Sequence, residues 1–513
     1  MPSENNEMHR STIHQLFSGL DKAYQIVKGF YGPAYSFTTK DFSLKGKGYH
    51  ILSRIELLDP LERLGVYFAQ SLAEQIYNRH TDGVISSVIL LRAFLKASLP
   101  FIDQGISPRL LTSALASKKE AICAHLQAHS FLLKDTSKVL GLISSHTNDP
   151  FIGEVFAQAV AYTGQEGTIA LSQKSGSTLR FVQGIQIQRG YQVPSFFPQD
   201  AFHENLVIAP KIFVTDQTIH SVFSFLPLLK QFSEEQTPLI IFCKEIDHHP
   251  LATCIANRIA GLVDVLVVTI EDPTLLEDIA LLTGTTVFST PPFSNKPPIE
   301  LPLLGSCTWA ELSQDHTLLV CENFVPEVVK LKIRQLDHMI QNAEKELSRQ
   351  TLKERKHRLE HPIAIIPIEQ DKSSLYKLAL NTLNTTKKSG FVVGGGAALL
   401  YASQNLLSSQ DQSQEELAAS HILQTACRAL LEQLVGSVHM DGKLVANKLC
   451  SLGTPSLGFN VLSQQIEDMI SAGVIAPLDT VMDIFSSSLH AALDLLLSSY
   501  TTPPSPITND KKT

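Results

Sequence analysis

GFVVGGGAALL, residues 390–400, is the stretch on which the reading of this chain turns. A β-type run, Phe391 to Val393, meets three consecutive glycines, and an apolar helical run follows. Glycines at such a junction either make a tight turn or let backbone N–H groups close on a phosphate. No GK[ST] follows them and the spacing is not G-x-G-x-x-G, so neither the P-loop nor the dinucleotide fingerprint applies. Alone, the stretch reads as close packing. Two further glycine-centred stretches lie far upstream: YGPAY (31–35) and TDGVISS (81–87), the second running into an apolar helix. The three together, in this order, carry much more than each does singly.

Outward from these anchors the chain reads helical, then α/β, then helical. Apolar residues recur at helical spacing through Ile13, Phe17, Leu20, Tyr24 and Val27, and again through Leu61, Leu64, Phe68, Leu72 and Ile76. Residues 36–58 read as extended, and Ser86 to Leu99 as a buried helix, apolar nearly all round. After about residue 180, β-rich runs at 206–214, 238–243, 263–270 and 284–290 alternate with helical segments at 218–232 and 250–261. That alternation predicts a partly parallel sheet. Residues 326–361 read as one long exposed helix with a seam at Val329, Ile333, Leu336 and Ile340. Its acids interleave with its bases, which argues against a nucleic-acid arm. From about 390 to 500 the pattern is helical again, and TTPPSPITNDKKT (501–513) reads as a frayed tail. No internal repeat is visible.

Composition sets the bounds. The 513 residues, at ~100–200 per domain, predict two to four domains. They are 44% hydrophobic and 18% charged, enough apolar material for sizeable cores. The net charge of −8 argues against a polyanion-binding surface. Seven scattered cysteines without CxxC or zinc spacing predict buried free thiols in a reducing cytosol. No secretory leader or membrane-length apolar run is read, so a cytoplasmic protein is expected, with neither membrane nor nucleic acid as partner. His248–His249 and His203–Glu204 lack i, i+4 ligand spacing with a third ligand and read as loop residues.

The three glycine stretches, with QRGYQVP (188–194), HPLATCIANRIAG (249–261) and LEDIALLTGTTV (276–287), resemble the GroEL-type group I chaperonins almost end to end. The family patterns LGP, DGTTT, GVVAGGG, GYNA and ILDP lie over YGP (31–33), DGVIS (82–86), GFVVGGG (390–396), GFNV (458–461) and VIAP (474–477). The resemblance implies a multidomain α and α/β chaperonin fold. Its mostly helical equatorial domain would comprise 1–126 and 390–513, its small intermediate hinge domain 127–183 and 358–389, and its α/β apical domain 184–357.

It further implies ATP and Mg2+ as cofactors, with K+ as an accompanying ion. The residues carried over to nucleotide binding are Tyr31, Gly32, Pro33, Asp82, Gly83, Val84, Ile85, Ser86, Gly394, Gly395, Gly396, Asn460 and Ala476. Asp82 matches the metal-ligating aspartate and is the surviving catalytic acid, and Asn460 matches the base-contacting asparagine. Three acids are missing. Lys47 replaces the aspartate of TKDG, Leu378 replaces the water-activating base, and Ala476 replaces the ribose-binding aspartate of ILDP. Val84 and Ile85 also replace the first two threonines of DGTTT. A positioned base is worth ~10²–10⁴ in rate, and a charged hydrogen bond roughly 1.5–3 kcal/mol. Weak or absent ATP hydrolysis is therefore expected, with binding undecided.

For non-native polypeptides the resemblance implies an apolar groove at Tyr191, Phe196, Leu226, Leu229, Leu251, Ile255 and Ala256, edged by Asn257. Ser195 stands where the family has an aromatic. Spacing alone also fits core residues of a Rossmann-like sheet; the family framework favours the groove. A double-ring homo-oligomer and a co-chaperonin are also implied. The missing PGFGDRR stretch and Gly-Met-rich tail loosen the link to a full encapsulating cycle. Two rivals stand beside this expectation: an ATP-driven foldase rebuilt around Asp82 and Lys47, and a non-ring scaffold serving one partner.

Overall fold

The computed structural model describes residues 2–32, 38–39, 42–43, 48–164, 167–172, 179–191, 205–221, 223, 226–289, 304–313, 316–321, 326–368, 372–407 and 413–498. The chain is mostly helical with several small sheets, and it divides into two units. Met1–Ala157 joins Lys372–Thr513 in one, and Gln158–Asp371 forms the other.

The first unit draws helices from both chain ends. The first two helical patterns become Pro2–Val27 and Pro60–His80, which pack against each other. Asp59 starts the second by accepting the N–H groups of Leu61 and Glu62, with Pro60 in its first turn. Val84–Asp103 packs against Gln414–Gly436 and Leu478–Ser498 from the far end of the chain, and Phe94 meets Phe485 edge-on at 6.0 Å. By length and composition, Val84–Asp103 and Leu478–Leu497 are each long and apolar enough to cross a membrane, which corrects the expectation that no such run exists. Both contribute to one core, through Leu90 and Phe94 on the first and Phe485 and Leu489 on the second.

Other local readings shift. Residues 36–58 are not extended throughout: after the short strands Thr38–Thr39 and Phe42–Ser43 comes the helical turn Gly48–Leu52. Leu52 is buried there, and Tyr49 and Ile51 dock on the same core, so packing overrides the turn-rich local sequence. The C-terminal portion is not wholly helical either. Strand Phe391–Val393 pairs with Ile475–Pro477, and Leu457–Asn460 pairs with Gln465–Asp468.

In the second unit, Lys211–Ile219, Leu239–Ile246 and Val265–Thr269 run parallel, with antiparallel Gly305–Ser306 at one edge. Helices Leu226–Glu235 and His248–Ile259 make the crossovers. The predicted helix at 218–232 thus starts later, because the strand runs on to Ile219. The predicted strand at 284–290 reduces to a single bridge between Phe288 and Thr215. His248 and His249 form the first turn of a helix rather than a loop, while 203 and 204 lie outside the described residues.

An antiparallel sheet (Gly184–Ile187, Thr317–Val320, Trp309–Leu312, Asn205–Ile208) and the three-stranded Ile169–Ser172, Ile363–Pro367, Arg180–Val182 complete the unit. The expected single helix over 326–361 is two, Pro326–Asn342 and Glu346–Glu360, packed together. Val329 and Leu336 of the seam are buried, and Lys330, Lys332, Arg349, Arg355 and Lys356 all pair with acids. Six of the seven cysteines are buried free thiols, and burial pushes Cys243, Cys254, Cys321 and Cys427 up to about 12. They are unreactive at neutral pH.

Candidate nucleotide site and apolar face

The glycine stretches converge in the first unit. Gly395 and Gly396 have φ of 64° and 79°, left-handed values that glycine adopts without steric cost. A Cβ on Gly396 would stand 2.8 Å from the Leu431 backbone nitrogen, so the turn lies hard against the Gln414–Gly436 helix. Leu434 of that helix touches two of the loops: its Cδ1 is 3.2 Å from where a Gly32 Cβ would stand, and its Cδ2 is 3.6 Å from that of Gly395. Gly394 donates to the Val474 carbonyl at 3.0 Å, and Val392 faces Ala476 across the strand pair.

The 81–87 stretch meets the same region. Tyr31 shares a hydrogen bond with the Ser86 side chain, and the Asp82 carboxylate lies close enough to act on the phenol electrostatically. Burial, opposed by the Ser86 bond and reinforced by Asp82, raises Tyr31 to about 12, so it stays a neutral donor. Asp82 Oδ1 accepts the Gly83 N–H at 2.6 Å. Gly83, at φ 82°, is the N-cap of Val84–Asp103 and supplies no side-chain cap; a Cβ there would collide with Ile484 Cδ1. The N–H groups of the first turn after it are free of intrahelical partners, as at any helix start. This end of the site suits an anion with a metal beside it.

Leu378 lies on Ser373–Ser389, and Asn381, one turn later, donates from Nδ2 to Thr81 Oγ1 at 2.7 Å. This helix therefore meets the loop that carries Asp82 through Asn381. Lys47 and Pro33 lie outside the described residues. Val84 is buried, and Ile85 packs on the core beside Gly48.

The hairpin contains a contact with no signature in the sequence. Asn460 Nδ2 donates to Glu467 Oε1 at 2.6 Å, and Asn460 Oδ1 accepts the Leu462 N–H at 3.0 Å. Ser463 Oγ donates to the same Glu467 oxygen at 3.1 Å. The amide of Asn460 is thus engaged within its own hairpin.

The predicted groove residues divide. Leu229 and Leu251 are buried in the core of the parallel sheet, whereas Leu226 is 46% exposed and Ala256 is exposed. Tyr191 and Ile255 are partly buried against that core, and Asn257 bonds back to the Thr253 carbonyl at 2.8 Å. Phe196 and Ser195 lie outside the described residues. Phe223, Ile259 and Leu262 are exposed apolar residues that motif matching passed over, Ile259 at 71%. Only the count of large apolar side chains at helix ends would have flagged them.

Known proteins bear on these features. "Chaperonin GroEL 3" of Protochlamydia amoebophila is 27% identical over 475 residues, covering 89% of this chain and 88% of that protein. "Chaperonin 60 subunit beta 3, chloroplastic" of Arabidopsis thaliana is 26% identical over 471 residues, covering 88% of this chain and 78% of that protein. The profile of the TCP-1/cpn60 chaperonin family matches residues 38–349 and 370–501, which take in the glycine stretches at 81–87 and 390–400, the two four-stranded sheets of the second unit and the hairpin; the chain belongs to that family.

Proposed function

We propose that this chain is a divergent chaperonin subunit that captures non-native polypeptides and turns over ATP weakly or not at all. In this reading the first unit supplies the equatorial, ring-forming part, and the parallel-sheet unit the apical, polypeptide-binding part. Residues 127–183 and 358–389 supply a small hinge domain, the subunits close into rings, and the assembly works in the cytoplasm. The observation that carries it is the leucine at 378, on the helix whose Asn381 bonds to Thr81 next to Asp82. Leucine cannot accept a proton from water, and loss of a base costs ~10²–10⁴ in rate. Exposed Leu226 and Ile259 support the capture role, since solvent-exposed apolar side chains grouped on one unit favour association with other apolar chains.

Two measurements test this together. Phosphate release with Mg2+ and K+ should not exceed that of Asp82→Ala, and the protein should still slow aggregation of a chemically denatured client. Leu226→Ser with Ile259→Ser, both at exposed positions, should weaken that protection several-fold without changing the melting temperature. Turnover that depends on Asp82 would overturn the passive reading, and unaltered protection in the double variant would remove the assigned face.

A further inference from the structure

The helix Pro108–Ala128 ends on two histidines that the proposed chaperone role does not use. His125 is in its last turn and His129 is its C-cap, so the two share one face. Their rings stack with centroids 4.0 Å apart and planes 16° apart. Nδ1 of His129 lies 2.9 Å from the His125 carbonyl oxygen, and a carbonyl only accepts, so this nitrogen carries the proton. In the neutral ring Nε2 is then a lone pair. A main-chain carbonyl on the Nδ1–H is also the support that orients a histidine ligand. Nδ1 of His125 is buried and has no hydrogen-bond partner. Burial, with the neighbouring His129 second, lowers the pKa of His125 and so favours its neutral ring.

Both histidines line a cavity of about 50 Å³ whose other walls include Phe131, Val393, Tyr401 and Ser456. The hydroxyls there are already engaged: Tyr401 donates to the Leu457 carbonyl at 3.1 Å, and Ser456 bonds to Asp468. At ~10–15 Å³ per water the cavity holds a few waters. That suits a partly hydrated cation and falls far below the ~300–1,000 Å³ of a pocket for a drug-sized ligand. The end of a helix where its last carbonyls point also favours positive charge.

We infer that His125 and His129 form a dihistidine site for a late first-row divalent cation of the Zn2+, Ni2+ and Cu2+ class. These ions prefer imidazole, whereas Mg2+ and Ca2+ take oxygen. Spacing of i, i+4 is the one at which two helical histidines share a zinc ion. Among the described residues no group of three His, Cys, Asp or Glu converges on a metal, so water fills the remaining positions and the ion is exchangeable. The cation would fix the turn that leads to Phe131, whose main chain pairs with that of Phe391 at 2.8 and 2.9 Å.

The experiment is calorimetric titration of Zn2+ into the full-length, tag-free, metal-stripped protein, run beside His129→Ala, His125→Gln and His361→Ala. His361 stacks on His357 at 3.9 Å in the second unit, and its variant is the control for a histidine pair elsewhere. The wild type should bind Zn2+ in the micromolar range, and millimolar Mg2+ should not displace it. His129→Ala, at an exposed position, should remove one equivalent or weaken it by about tenfold or more. His125→Gln should show the same loss, and His361→Ala should keep that equivalent. Without metal the His129→Ala midpoint should match the wild type, and Zn2+ should raise the wild-type midpoint by more than the variant's. Absence of Zn2+ binding by the wild type, unchanged binding in both His129→Ala and His125→Gln, or displacement by Mg2+ overturns the inference.

Discussion

Asp483 shows how a single side chain ties the two chain ends together in the first unit. Its carboxylate meets His80 Nε2 at 2.8 Å, Arg79 Nη1 at 3.0 Å and Ser487 Oγ at 3.1 Å. Burial works to raise its pKa, yet the bonds from His80, Arg79 and Ser487 prevail and hold it below the usual carboxylate range. A depressed folded pKa means the stabilisation is complete above the unfolded value near 4 and is lost as pH falls through the lower folded value. Asp483→Asn should therefore cost about 1–2 kcal/mol at pH 7, and the melting curves of variant and wild type should converge in acid. Parallel curves at all pH values would deny the charge any part. None of this was legible in sequence, where Arg79 and Asp483 stand some four hundred residues apart. In the sequence, motifs mark positions 82 and 476, and spacing to Gly390 marks position 378. The commitment of Asn460 to Glu467 was not legible, since only the hairpin register, which pairs Asn460 with Gln465 and Gly458 with Glu467, makes residues 460 and 467 diagonal neighbours.

Among the elements, Pro273–Thr283 and Glu346–Glu360 are joined by buried charge. Asp278 is fully buried, with Arg355 Nε at 2.8 Å and Arg358 Nη1 at 3.3 Å. Burial raises this carboxyl to about 6 against the pull of both arginines. Between about 4 and 6 the folded chain holds a proton that the unfolded chain lacks, so this group's contribution to stability increases as pH falls from 7 towards 4. Asp278→Ala should cost about 3–5 kcal/mol at pH 7 by taking a buried carboxylate from both arginines and leaving Arg355 on Glu277. The wild-type advantage should widen between pH 7 and 5, as read by urea unfolding followed through Trp309. A loss under 1 kcal/mol with no pH dependence would show the pairs to be incidental. The helical character of 326–361 was legible because amphipathic spacing is local. The break at 343–345, which makes two helices of one charged run, depends on the second helix folding back on the first.

For the whole molecule, two units with separate cores predict separable unfolding. Trp309 is the only tryptophan, and it is buried in the second unit, whereas most long helices belong to the first. Tryptophan fluorescence and far-UV circular dichroism should therefore give non-coincident denaturation curves; a shared midpoint would show one cooperative body. The sequence by itself determined the order of helical, α/β and helical segments and the resemblance to the chaperonins, because periodicity, caps and glycine turns are short-range signals. Only the tertiary structure decided which apolar residues face water. Leu226 and Leu229 are three residues apart on one helix, yet one is exposed and the other buried. It also decided that Asn460 is already paired. The first outcome is set by neighbours distant along the chain, and the second by the register of one hairpin; neither leaves a residue pattern that marks it.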